Sequence, residues 1–221
     1  SRAKELGCTS THFNNANGLP DEEHYTSSHD MALIARAAYS IPKFAEIVGT
    51  KNYTIPPTNK HSDPTPLNNH HQMLHYYKTN KYLYEYCLGG KTGYTVAAGA
   101  TLVTYAKKDG MTLICVVMKD TSSDEYIDTT NLFEYCFDNF SVYHVSDFAS
   151  ISEDNVNVTG ILSENSELIR VDDDGLIVIP KTASVLDAVS TVVPYSDEEN
   201  TSIIGQIRYT YADRRDRKST R

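Results

Sequence analysis

Apolar positions run along this chain in two rhythms. Residues 31–39 place them at helical spacing, and Ser27 to Asp30 just ahead has the S-x-x-D form of a capping box, so a helix is predicted over about 28–40. A second short helix is predicted around 42–48, because Pro42 suits a first turn. Residues 124–139, with Phe140 next, show a helical stripe of Ile127, Leu132, Phe133, Cys136, Phe137 and Phe140. Between these helices the rhythm changes to strands. One is predicted at 53–55, one through Lys91-Thr92-Gly93, one over about 98–105 and one over 111–118. Lys107-Lys108-Asp109-Gly110 reads as the hairpin turn between the last two. The strand at 111–118 is nearly all apolar and is expected to be buried on both faces. Residues 8–25 and 56–72 read as loops, and 74–88 is aromatic-rich with no clear period.

After residue 142 the pattern is all strand: 148–151, 156–161, 168–171, 176–179, 185–193 and 203–211, with Asp173-Asp174-Gly175 as a turn. The predicted fold class is α+β, an antiparallel sheet with helices packed on it, followed by a small all-β, sandwich-like domain. The expected boundaries are 1–141, 142–212 and a basic tail at 213–221. The opening Ala3-Lys4-Glu5-Leu6-Gly7 reads as the last turn of a helix with a glycine stop. Domains do not normally open on the end of a helix, so further chain is expected upstream.

Charge sharpens this division. Residues 1–140 carry a net charge of −3, residues 141–200 a net −10 and residues 201–221 a net +4. The total of −9 disfavours a nucleic-acid partner, since phosphate binding needs clustered positive charge. Cys8, Cys87, Cys115 and Cys136 show no C-x-x-C spacing, which argues against a zinc knuckle or a redox pair. Free thiols are expected over disulfides. His70, His71 and His75 do not make a metal cluster, because adjacent histidines rarely point the same way and no carboxylate is spaced to join them.

The candidate chemistry lies at Lys91-Thr92-Gly93. A glycine pair precedes this tripeptide, a strand runs through it and a hairpin follows, and in this setting it resembles the K-T-G motif of serine acyl-transfer enzymes of the penicillin-recognising kind, which implies the following roles. A lysine ammonium supplies positive potential for an oxyanion and a carboxylate. The hydroxyl beside it donates to that carboxylate. The glycine lets an extended substrate approach the strand, and the N–H of Tyr94 serves as an oxyanion donor.

The resemblance extends further. Residues 3–19, A-K-E-L-G-C-T-S-T-H-F-N-N-A-N-G-L, resemble the A-x-x-L-G-M-x-x-T-x-F-x-N-P-x-G-L stretch of D-alanyl-D-alanine carboxypeptidases, the low-molecular-mass penicillin-binding proteins of serine peptidase family S11. Residues 27–34 are similar to the helix that follows in that family. Gly90-Lys91-Thr92-Gly93-Tyr94-Thr95 with Ala98-Gly99 is similar to its G-x-K-T-G-x-T-x-x-A-G block. The resemblance implies a β-lactamase/transpeptidase-like catalytic domain, present in part. It implies a serine enzyme that removes the terminal D-alanine of peptidoglycan stem peptides through an acyl-enzyme, and that is trapped by β-lactam antibiotics. Lys91 is then the catalytic lysine of the third motif, while Thr92, Gly93 and Tyr94 bind substrate. No metal or organic cofactor is implied. The substrate implies an extracytoplasmic location. Peripheral membrane association, which some members achieve by an amphipathic anchor, would need another segment, because 201–221 lacks the apolar face.

The sequence departs from the family in three places. The S-x-x-K and S-x-N motifs are expected upstream of residue 1, so the chain alone is expected to be inactive. Ser40-Ile41-Pro42-Lys43 follows the wrong helix and carries a proline inside the motif, and Ser163-Glu164-Asn165 lies in the β-rich region. Asn69-His70-His71 stands where the family has a polar N-T-N-like stretch; these histidines either reach substrate or stand solvated in a loop. Two alternatives remain at this level: a β-lactamase-like hydrolase, and a non-catalytic wall-binding or scaffold relative.

Overall fold

The structure, a computed structural model, describes residues 2–144 and 175–184 and the backbone of 189–194 and 205–210. The chain divides into two compact units, Ser1–Phe137 and Asp138–Arg221.

The first unit opens on α1 (Arg2–Glu5), which closes at the glycine as predicted. The Gly7 N–H donates to the Lys4 carbonyl and the Cys8 N–H to the Ala3 carbonyl, each at 3.0 Å. Helix α2 (Ser28–Tyr39) starts where its cap requires: the Ser27 hydroxyl oxygen accepts the Asp30 N–H at 3.1 Å. The Asp30 carboxylate turns to the preceding loop, accepting the Ser10 N–H at 2.6 Å and the Thr11 hydroxyl at 2.7 Å. It is 1% exposed. The Thr11 hydroxyl, with the Ser10 amide, holds its carboxyl below the usual range. The loop over 8–25 is thus fastened to the start of α2.

Helix α3 (Pro42–Gly49) follows, then β1 (Asn52–Ile55). The predicted loop over 56–72 contains a strand, β2 (Thr65–Asn68), antiparallel to β1 with Tyr53 opposite Leu67. Sequence alternation is too short there to reveal it, and Pro66 argues against it; proline is tolerated because this is a two-stranded ribbon with free edges.

The main sheet is β3 (Cys87–Thr95), β4 (Gly99–Lys108) and β5 (Met111–Asp120), antiparallel and in the order β3-β4-β5. Asp109 and Gly110 both have positive φ, +49° and +81°, which is the two-residue turn whose twist matches the strands. The central strand supplies the core with Leu102, Tyr105 and Ala106. Tyr105 fixes α2 to it: its ring stacks on Tyr39 at 4.2 Å between centroids, and its hydroxyl donates to the Ala35 carbonyl at 3.0 Å. Strand β5 is less enclosed than its sequence predicts. Met111 and Cys115 are fully buried, while most of the other apolar side chains are half-covered, because β5 is an outer strand of the sheet.

Helix α4 (Asp124–Asn139) buries Glu125, Tyr126, Thr129, Phe133 and Phe137. The predicted stripe is therefore rotated: Ile127 and Leu132 are exposed. The aromatic segment ahead of β3 explains why. Tyr82 stacks on Tyr126 (5.0 Å), Tyr84 on Phe133 (5.8 Å) and Tyr86 meets Phe137 edge-on (6.1 Å). Tyr84 also donates from its hydroxyl to Glu134 at 2.7 Å.

All four cysteines are free thiols. Burial pushes Cys87 and Cys115 up to about 11, and burial also raises Cys8 and Cys136.

In the second unit, β6 (Phe140–His144) pairs antiparallel with β7 (Leu176–Pro180), and β8 (Val189–Pro194) with β9 (Gly205–Thr210). Ile177 and Ile179 are buried alternately along β7, as a half-covered strand requires. The strands predicted at 148–151, 156–161 and 168–171, and the tail at 213–221, lie outside the described residues.

Candidate active site

Strand β3 carries the tripeptide along a sheet edge, where alternate N–H and C=O groups point away from β4. Two glycines explain how it sits there. At Gly90 an added Cβ would lie 2.0 Å from the Val103 carbonyl oxygen and 2.7 Å from His71 Nε2. At Gly93 it would lie 2.5 Å from Thr101 Oγ1, which donates to the Gly93 carbonyl at 3.1 Å. The glycine of the tripeptide therefore has a cause inside the sheet, beside the ligand approach expected from the sequence.

Alternation along the strand sends Lys91 and Gly93 to one face and Thr92 and Tyr94 to the other. Thr92, Gly93 and Tyr94 line a cleft of about 260 Å³. It is also lined by His70, Gln72 and Tyr77 and by Glu125 and Tyr126 at the start of α4. Tyr94 is 70% exposed and forms a rim. Lys91 does not line this cleft; it is exposed, and its ammonium donates to the Thr92 carbonyl at 2.5 Å. The strand brings the four expected residues together in sequence, while the cleft collects three of them.

The two neighbouring histidines have different fates. His70 is exposed, lines the cleft and stacks on Tyr77 with centroids 4.5 Å apart. His71 is 1% exposed, so it is not a solvated loop residue. Asn69 turns the chain inward there: its side-chain oxygen accepts the His71 N–H at 3.0 Å, and its amide donates to the Thr50 carbonyl at 3.0 Å. His71 Nε2 lies 3.0 Å from the buried Thr104 hydroxyl. Burial, with a smaller contribution from the nearby Lys91 ammonium, lowers it to about 4, so it is neutral at pH 7.

Ser40 caps the end of α2, donating to Ala37, and Lys43 pairs with Glu46 at 2.7 Å. Neither is set up as nucleophile or base. Ser163-Glu164-Asn165 lies outside the described residues.

Sequence reasoning missed Gln72, Glu125 and Tyr126. Gln72 and Tyr126 sit next to residues that were singled out, or inside a predicted helix. Glu125 carried no signal either: an acidic residue in a first helical turn is ordinary, and its enclosure shows only in the fold.

Residues 1–122 match the family model Peptidase_S11, described as D-alanyl-D-alanine carboxypeptidase. The chain is 31% identical over 144 residues to D-alanyl-D-alanine carboxypeptidase DacF of Bacillus subtilis, covering 64% of this chain and 34% of that protein. Among solved structures, the D-alanyl-D-alanine carboxypeptidase from Mycobacterium tuberculosis superposes with a TM-score of 0.54 at 29% identity, covering 62% of this chain and 50% of the other. DacD from Francisella tularensis superposes with a TM-score of 0.60 over 97% of this chain and 62% of that one; at 22% identity this likeness is of fold alone. The chain spans about a third of the length of the Bacillus relative.

Proposed function

The chain belongs to the D-alanyl-D-alanine carboxypeptidase family, and from that membership we propose that it is the K-T-G-bearing portion of a serine-type D-Ala-D-Ala carboxypeptidase. The observation that carries the proposal is the tripeptide on an edge strand, with Thr92, Gly93 and Tyr94 lining a cleft.

The substrate is a peptidoglycan stem peptide ending in D-Ala-D-Ala, lying extended along β3. The Thr92 hydroxyl donates to its terminal carboxylate, and the Tyr94 N–H to the carbonyl oxygen as negative charge develops. Lys91 supplies positive potential from the other face of the strand. A serine hydroxyl oxygen, assigned by the resemblance to a motif upstream of residue 1, bonds to the penultimate D-alanine carbonyl carbon. The amide C–N bond breaks and the departing D-alanine nitrogen takes the proton. Water then cleaves the ester and restores the serine. β-Lactams enter the same path, but their opened ring stays attached. Because peptidoglycan lies outside the cytoplasmic membrane, we place the protein there. Among the described residues no helix is long and apolar enough to cross a membrane. We also propose that residues 1–141 belong to the catalytic domain and 142–212 to a β-rich carboxy-terminal domain.

The test is labelling of the full-length gene product by a fluorescent penicillin. Stable labelling is expected, with the rate about a hundredfold lower in Lys91→Ala. Rapid release of the label points to a β-lactamase-like hydrolase, and no labelling points to a scaffold. Equal labelling of the variant removes Lys91 from the site.

A further inference from the structure

We propose that Glu125, seconded by Gln72, makes this cleft select ligands that present an ammonium or N–H donor to it. The inference rests on reading the cleft as the acyl-transfer site and adds the chemical class of ligand that the site prefers: peptides and peptide mimics with a free amine near the reacting carbonyl.

Three observations converge. The first is a pair of unmet acceptors. Glu125 is 8% exposed, and its Oε2 is buried with no hydrogen-bond partner. The side-chain oxygen of Gln72 is also buried and unpartnered. Both residues line the same cleft as Thr92. A carboxylate this enclosed, with no cation beside it among the described residues, is costly, so a cationic ligand held in the cleft that Glu125 lines offsets part of that cost. The second is charge. Among the described residues no lysine or arginine lines the cleft, and Glu125 is its carboxylate. A carboxylate in a partly enclosed pocket favours a cation and disfavours a second anion beside it. The third is the lining of rings. Tyr77, Tyr94 and Tyr126 line the same space, Tyr77 with one face on His70 and Tyr126 with one face on Tyr82, and an uncovered aromatic face attracts an ammonium group. Thr92 and Glu125 thus ask for opposite groups, an acceptor on one part of the ligand and a donor on another.

Ampicillin and benzylpenicillin test this. They share the lactam ring and its carboxylate and differ by one α-amine. The quantity to measure is the ratio of their acylation rates, ampicillin over benzylpenicillin, on the full-length protein. Glu125→Gln keeps the shape and removes the charge, and it is expected to lower the ratio about tenfold, the worth of one charge-assisted hydrogen bond. Gln72→Glu adds a second charge and is expected to raise it. The thermal unfolding midpoint of each variant, read by circular dichroism, reports that the variant is folded. A ratio unmoved by both substitutions overturns the donor preference and leaves the acyl-transfer reading standing. Failure of both penicillins to acylate the unaltered protein overturns the acyl-transfer reading itself, and this inference with it.

Discussion

His71 carries a pH signature. Its folded-state value of about 4 lies below the ordinary value of 6.5, which the unfolded chain recovers. Between these values the unfolded state binds the extra proton, so stability rises with pH from 4 to 6.5 and is lost as the pH falls through that window. The loss approaches about 3 kcal/mol at the acid end. A urea-midpoint series from pH 4 to pH 7 is expected to show this slope, and His71→Asn to flatten it. Equal slopes would mean that the histidine is protonated in place. This fate was not legible in the sequence. Two consecutive histidines in a polar loop look equivalent, and only the inward turn at Asn69 separates a sealed ring from one on a cleft wall.

At the scale of the element, close contacts set the rules for β3. Gly90→Ala drives a methyl into the Val103 carbonyl, and backbone oxygen cannot swing aside. We expect a loss of more than about 3 kcal/mol in denaturant unfolding, against under about 1 kcal/mol for an alanine at an unconstrained strand glycine. In α4, Phe133→Ala should cost about 3–5 kcal/mol, because it removes the ring that Tyr84 stacks upon. Leu132→Ala, on the exposed side, should cost under about 1 kcal/mol. The helix itself was legible from its period, but its buried face was not. Thr129 is buried at no penalty because its hydroxyl donates to the Glu125 carbonyl at 2.6 Å, and a polar residue satisfied in this way is indistinguishable in sequence from a solvated one. Periodicity likewise located α2 and the β4–β5 hairpin, because cap and turn chemistry agreed with it there.

For the molecule as a whole, charge shifts along the chain near residue 140, and the chain divides into its two compact units after Phe137. The division of labour proposed for the two predicts that the full-length product ended at Asn139, the last residue of α4, keeps its penicillin labelling. Loss of labelling with secondary structure retained, checked by circular dichroism, would tie the β-rich region to the chemistry. The tripeptide was legible because it is local in sequence. The cleft was not, since its walls come from residues 70–77, 92–94 and 122–126, and only the fold brings them together.

The four thiols of this chain are all shifted upward by their surroundings, which slows their reaction with maleimides near neutral pH relative to an open thiol. A cysteine introduced at exposed Ser122, on the cleft wall, would therefore be the fast-reacting handle. A dye placed there would report occupancy of the cleft in real time.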